Sequence, residues 1–248
     1  MNPRVCILQT DGTNCDRETA YAFMRAGGNP RLVHINQLRA RSVRLADFQI
    51  LAIPGGFSYG DDVASGKILA LELTTFLSDE LRAFVEAGKL VIGICNGFQV
   101  LVRTGLLPFR ELGKMSATLT HNVSGRFQCE WVRMVVEQGS PCVFTRGMES
   151  EISLQIAHGE GRFFASPETL VQIEERKLVA LRYAPHNPNG SENAIAGVCD
   201  PSGRIFGLMP HPERFVDPLQ HPNWRSRWME PPHGLKIFQN AVAAARNL

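Results

Sequence analysis

Cys95 stands between two glycines two residues away on either side, in "VIGICNGFQVL" (91–101). An apolar run precedes it and a helix-like pattern follows. A cysteine at a sharp strand-to-helix turn has the context of a nucleophile elbow, with sulfur in place of the usual hydroxyl. Such a turn brings neighbouring backbone close, so side chains at positions 93 and 97 would clash. The helix N-terminus that follows favours negative charge at the thiol. Asn96, one residue on, can offer its backbone N–H to an oxyanion. The bland alternative is a small buried core residue, since free cysteines are often internal. A nucleophilic thiol also needs a base.

Among seven histidines, His211 is the best-placed candidate base. It lies in "GLMPHPERF", directly after the apolar stretch "RIFGLM". That puts it at the end of a predicted strand, where open α/β sheets build their sites. Glu213 follows two residues later, on the same side of an extended path stiffened by Pro210 and Pro212. Its carboxylate can then hold the imidazole tautomer, as the third member of a catalytic triad does. The alternatives are a surface pair of Glu213 with Arg214 or Arg204, and a strand-end histidine without a partner. His158, in the Gly-rich "IAHGEGRFF", lies beside Glu160, and the sequence gives neither a defined role. The remaining histidines read as ordinary surface or half-buried residues. No two histidines have metal-ligand spacing, so no catalytic metal is expected.

Gly55 and Gly56, in "AIPGGFSYGDD", can expose consecutive backbone N–H groups to a substrate. The Gly56 and Phe57 N–H groups would complete an oxyanion hole with that of Asn96. The alternative is a tight strand-end turn. "GDDVASGK" (60–67) fails as a P-loop: five residues separate its glycines, Ile68 follows Lys67, and Asp61 and Asp62 would repel phosphate. No G-x-G-x-x-G follows a strand. The chain is therefore expected to carry no ATP machinery.

These residues require strands that end at one edge of a sheet. "RVCILQ", "PRLVHI", "FQILAIP" and "LVIGI" read as apolar strands. Helical patterns alternate with them: "CDRETAYAFMR" closed by Gly27-Gly28, "LTTFLSDELRAFVEAGK" as one amphipathic helix, and "FQVLVRTGLL". Alternating apolar strands and helices imply a parallel sheet covered on both faces. "RFQCEWVRMVVE" reads as a half-apolar strand. "LVQIEERKLVALRYA" reads as two strands joined by a turn at Glu175. "AIAGVCDPSGRIFGLMP" reads as a hairpin, so the sheet is mixed on one side. A helix, "LKIFQNAVAAARNL", ends the chain. No repeat, linker or composition break is evident, and residues 1–248 are expected to form one domain.

Composition narrows the function classes. The chain has 248 residues, 44% of them apolar, enough for a sizeable core without staples. A formal charge of +2 gives no electrostatic reason to expect a nucleic-acid partner. The basic stretch "LRARSVRL" (38–45) reads as a solvated face. The six cysteines form no C-x-x-C pair. The apolar start is too short for a signal peptide and no window approaches ~20 apolar residues. No membrane association and a cytoplasmic location are expected.

Taken together, "GICNGFQ" and "MPHPE" resemble the triad (class I) glutamine amidotransferases. "DGTNCDRE", "PGGFSYGD", "NVSGRFQCEWV", "AHGEGRFF", "NPNGSENAIAG" and "GLMPHPER" look closely like one branch of that family, the glutaminase subunits that serve phosphoribosylformylglycinamidine synthase in purine biosynthesis. The likeness runs from about residue 4 to 240. It implies a flavodoxin-like α/β fold, with a mixed, mostly parallel sheet and helices on both faces. It also implies Cys95 as nucleophile, with His211 and Glu213 completing the triad, and Gly56 and Asn96 in the oxyanion hole. Gln99 matches a residue that helps hold glutamine. Ser124, Arg126 and Phe127 fall on what looks like a strand lining the glutamine site. No cofactor is implied in this chain. ATP and Mg are implied at a large partner synthase subunit that also binds the ribonucleotide, with a small bridging subunit beside it. The sequence departs from the branch at Asp11, where proline is usual, and in a longer segment from Leu219 to Pro232.

Other readings keep parts of this pattern. Cysteine-elbow proteins of the protease, chaperone and glyoxalase type share the elbow but would not need Gln99 or the His-x-Glu pair. A non-catalytic glutamine-sensing subunit would not need an intact triad. Amidotransferases that serve GMP, CTP or anthranilate synthesis share the short motifs only.

Overall fold

The structure is a computed structural model that describes residues 2–226 and 230–248. Residues 227–229 of the long 219–232 segment lie outside the described residues. The first half builds β1 (Arg4–Gln9), α1 (Asp16–Arg25), β2 (Asn29–His34), α2 (Ile35–Arg39), β3 (Ile50–Ile53), α3 (Lys67–Thr75), α4 (Ser78–Glu86), β4 (Leu90–Ile94) and α5 (Asn96–Arg103). The second half builds β5 (Ala117–Thr120), β6 (Gln128–Val136), β7 (Glu151–His158), β8 (Arg162–Ala165), α6 (Pro167–Glu175), β9 (Val179–Tyr183), β10 (Ile195–Cys199), β11 (Ile205–Leu208) and α7 (His233–Ala245).

A nine-stranded sheet runs in the order β2-β1-β3-β4-β11-β10-β9-β6-β7, and β5 pairs β8 in a small separate ribbon. The pairings from β2 through to β11 are parallel. Those from β11 through β10, β9 and β6 to β7 are antiparallel. The chain thus forms a mixed α/β sheet, with its antiparallel part on one side. β3, β4, β10 and β11 are buried along their whole length. Strands covered on both faces read as unbroken apolar runs, which is how their sequences read. No helix among the described residues is long and apolar enough to cross a membrane.

Two elements differ from the sequence expectation. The segment read as one helix over "LTTFLSDELRAFVEAGK" divides into α3 and α4 at Phe76-Leu77. α3 buries Leu69, Ala70 and Leu73, while α4 buries Leu81, Phe84 and Val85. Asp79 and Glu80 in the first turn of α4 suit the positive end of a new helix. The segment read as two strands around Glu175 is instead α6 followed by β9. Ser166 caps α6, its hydroxyl accepting from the Thr169 N–H at 3.2 Å, and Pro167 opens the first turn. A Ser-Pro start before an apolar pair is a helix signal, and it outweighs the strand propensity of "LVQI".

The topology places the site. β4 lies between β3 and β11. The loop after β3 carries Gly55 and Gly56, the turn after β4 carries Cys95, and the segment after β11 carries His211. Because these three strands run parallel, their C-terminal ends deliver all three loops to the same edge.

Candidate active site

Cys95 has φ 51° and ψ −106°, a left-handed conformation that a residue with a side chain adopts only under constraint. The constraint is packing on both sides. A Cβ on Gly97 would overlap the Ile53 carbonyl oxygen, and one on Gly93 would overlap the Gly97 carbonyl. The two glycines therefore let β3, β4 and the start of α5 close on one another. Cys95 is 6% exposed, and its thiol donates to the Ala157 carbonyl at 3.7 Å.

His211 follows β11 and is anchored to β7 by its N–H, which donates to the Gln155 carbonyl at 2.8 Å. Its Nδ1 lies 2.6 Å from Glu213 Oε1, with both side chains buried. Pro212–Arg214 forms a short 3-10 turn rather than the extended path expected, yet Glu213 still reaches the ring. Burial by itself disfavours the imidazolium. The Glu213 carboxylate, with the Cys95 sulfur after it, outweighs burial and holds His211 well above its ordinary pKa. With Nδ1 on Glu213, Nε2 is the ring nitrogen left free for proton transfer. That nitrogen is buried and has no hydrogen-bond partner among the described residues.

The loop after β3 leaves fewer free backbone donors than expected. Phe57 drops out as a donor, because its N–H is already spent on the Gly12 carbonyl at 2.9 Å. The 12–15 turn clamps this loop, with Asn14 and Cys15 N–H groups both donating to the Gly55 carbonyl. Gly56, at φ 144°, packs too tightly against that turn to carry a side chain. Asn96 is the first residue of α5, where backbone N–H groups have no partner inside the helix. Gly56 and Asn96 remain the candidate donors.

Gln99 is buried beside the elbow. Its Nε2 donates to the Glu160 carbonyl at 2.7 Å and its Oε1 accepts from Asn96 Nδ2 at 3.0 Å. Ser124, Arg126 and Phe127 do not lie on a strand: β6 begins at Gln128, and 124–127 is an exposed turn. A local bond from the Arg126 N–H to Ser124 Oγ, 3.3 Å, and Gly125 at φ 64° bend the backbone away from strand geometry. Phe127 lies against Gly159 and so borders the turn that Gln99 holds.

Three features were not legible as site components. Cys15 is buried with its Sγ 4.0 Å from His211 Nδ1. Arg214 Nη2 donates to that sulfur at 3.3 Å. Cys15, His211 and Glu213 bring ligand-type atoms within 4.8 Å of one another, but these atoms already bond to each other and to Arg214. They form a hydrogen-bonded shell around the histidine. The third feature is His158, buried at the end of β7, its Nδ1 3.1 Å from Asn122 Oδ1. Asn122 Nδ2 donates to the carbonyls of Arg126 and His158, and its Oδ1 accepts from the Gly161 N–H. That fixes the amide orientation, so His158 carries its proton on Nδ1. Burial, then the charge of His211, pushes His158 down to about 4. Only position in "TNCDRE", "HGEGRF" and "GLMPHPER" could have flagged these residues, because their partners lie far away in sequence.

Residues 2–243 match the CobB/CobQ-like glutamine amidotransferase domain. The chain is 49% identical, over 99% of its length and 98% of the relative's, to phosphoribosylformylglycinamidine synthase subunit PurQ of Dehalococcoides mccartyi. It is 45% identical, over 87% of its length and 89% of the relative's, to the protein of that name from Treponema denticola. Its fold is similar to a chain in the structure of PurLQS from Thermotoga maritima, with a TM-score of 0.78 and 36% identity over 98% of this chain and 99% of that one. A chain from Thermoplasma acidophilum assigned to GMP synthase shares the fold alone, at a TM-score of 0.61 and 13% identity over 100% of this chain and 96% of that one. An elbow cysteine with a buried His–Glu pair beside it, on this sheet and over this span of likeness, places the chain in the CobB/CobQ-like glutamine amidotransferase family.

Proposed function

We propose that the chain, as a single domain, is the glutaminase subunit of a phosphoribosylformylglycinamidine synthase, with Cys95, His211 and Glu213 as its catalytic triad. The observation that carries the reading is the buried His211–Glu213 pair, 2.6 Å apart, beside a cysteine held at φ 51° at the start of α5. The pathway assignment rests on the near full-length likeness to the synthase subunits.

In this mechanism His211 Nε2 takes the Cys95 thiol proton as Sγ attacks the side-chain amide carbon of glutamine. The oxygen takes up negative charge against the Gly56 and Asn96 N–H groups. His211 gives a proton to the amide nitrogen, the C–N bond breaks, and ammonia leaves a glutamyl thioester. Water then attacks the thioester carbon while His211 accepts its proton, and glutamate is released with the free thiol restored. Glu213 keeps Nδ1–H in place, so Nε2 does the proton transfer in both halves. Ammonia passes to a large synthetase subunit that binds ATP, Mg and formylglycinamide ribonucleotide and forms the amidine. A small bridging subunit completes the assembly, which acts in the cytoplasm.

The test is Cys95→Ala in the reconstituted complex. Glutamine-dependent amidine formation should be lost while synthesis from added ammonia continues. Retained glutamine activity would overturn the triad assignment.

A further inference from the structure

Asp61 lies outside the triad, in the loop that follows the oxyanion glycines, and it organises the amides beside Cys95. The loop is strained: Tyr59, Gly60 and Asp61 have φ of 55°, 69° and 54° in succession. Asp61 Oδ1 accepts from Asn96 Nδ2 at 3.2 Å and from the Gly66 N–H at 3.4 Å. Its Oδ2 accepts from the Ser65 hydroxyl at 3.0 Å. Arg103 on α5 holds the same loop by donating to the Ser65 carbonyl at 2.7 Å.

The direction of these bonds follows from donor chemistry. A carboxylate only accepts, so Asn96 must turn its NH2 group toward Asp61. Its carbonyl oxygen then faces the Ser58 N–H, 3.3 Å away. The second NH2 hydrogen goes to Gln99 Oε1, which leaves Gln99 Nε2 to donate to the Glu160 carbonyl. Asp61 and the Ser58 N–H thereby set two buried amides together, and the relay ties the 58–66 loop, the head of α5 and the 158–162 turn to one another. Without Asp61, the Asn96 amide keeps only the Ser58 N–H and Gln99 Oε1 as partners, one of its NH2 hydrogens has no acceptor, and the Asn96–Gln99 pair is free to shift.

We propose that Asp61 is a positioning residue for glutamine binding, acting through the Asn96–Gln99 amide relay. The proposal rests on the glutaminase reading above. Asparagine at position 61 keeps the pattern, since its oxygen can accept from Asn96 and Gly66 while its NH2 donates to Ser65. Alanine removes it.

The experiment compares Asp61→Ala, Asp61→Asn and Cys95→Ala in the complex reconstituted with its synthetase. Asp61→Ala should raise the KM for glutamine at least tenfold, with a smaller fall in kcat. Its ammonia-driven synthesis and the rate of Cys95 alkylation by iodoacetamide should stay within twofold of wild type. Asp61→Asn should recover a KM within threefold of wild type. A KM within twofold of wild type for Asp61→Ala would overturn the proposal, as would an Asp61→Asn variant equal to Asp61→Ala. So would alkylation that falls in step with turnover. Should Asp61→Ala not fold, Asp61→Glu, which displaces the carboxylate by one methylene, is held to the same KM criterion. Cys95→Ala tests the underlying reading separately, because retained glutamine activity there sinks the triad whatever position 61 does.

Discussion

His211 Nδ1 and Glu213 Oε1 are 2.6 Å apart, with both side chains withdrawn from solvent. The carboxylate therefore acts on the imidazole with little screening. It fixes the tautomer and also sets the proton affinity of the ring.

Glu213→Gln separates these two effects. Loss of the orienting carboxylate in a Ser-His-Asp triad costs roughly 10⁴-fold in kcat, and a large loss of glutamine turnover is expected here. The carboxylate raises the His211 pKa, so its removal lowers it. The acid limb of kcat/KM for glutamine should move to lower pH, because neutral His211 then persists further into acid. Ammonia-driven synthesis in the complex should be unchanged. An acid limb that stays in place would show that Glu213 does not control the titrating group.

Gly97 makes a structural prediction. Its Cβ position coincides with the Ile53 carbonyl, and backbone cannot swing aside as a side-chain end can. Gly97→Ala should force β3 and α5 apart and cost several kcal/mol, at the high end for a single change. For a chain of this size each kcal/mol lowers Tm by roughly 2–4 °C. Thermal unfolding should show a fall of about 10 °C or more, with loss of glutamine turnover. A melting temperature within ~2 °C of wild type would mean that the elbow is not close-packed.

The parallel half of the sheet and the meeting of Cys95, His211 and Glu213 at one edge were legible for the same reason. β3, β4 and β11 are short apolar runs ended by turn chemistry, and each chemical residue stands at a fixed offset from one of them. α6 was not legible, because "LVQI" has strand propensity and the deciding signal was the Ser166-Pro167 cap before it. The break between α3 and α4 arises from tertiary burial, which periodicity alone does not reveal. Phe57 was a reasonable donor by position, but only folding brings the Gly12 carbonyl to its N–H. Cys15 escaped because its partners His211 and Arg214 lie 196 and 199 residues away.

Asn122 satisfies four buried or half-buried groups at once. Asn122→Ala strands the His158 Nδ1–H and the Gly161 N–H without an acceptor. Each orphaned buried donor costs about 1–3 kcal/mol. Chemical denaturation should show a loss of about 2–6 kcal/mol, and the KM for glutamine should rise, since the 158–161 turn also carries the carbonyl that Gln99 holds. A loss below about 1 kcal/mol would show that water replaces the amide at no cost.

His158 gives the protein a particular acid sensitivity. Its pKa is pushed down to about 4 in the folded chain, against an ordinary value of 6.5. Between those values the unfolded chain binds a proton that the folded chain refuses, so stability falls as pH drops through this window. The full difference is on the order of 3 kcal/mol. His211 does not offset it there. Its pKa is raised, so its contribution is complete below its unfolded value and is lost only as pH climbs through the higher folded one. His158→Gln removes the titration. Urea midpoints measured between about pH 7 and pH 4 should fall less steeply for the variant than for wild type, the two curves converging in shape above pH ~7. Parallel curves across the whole range would show that His158 takes up its proton in the folded chain as readily as in the unfolded one.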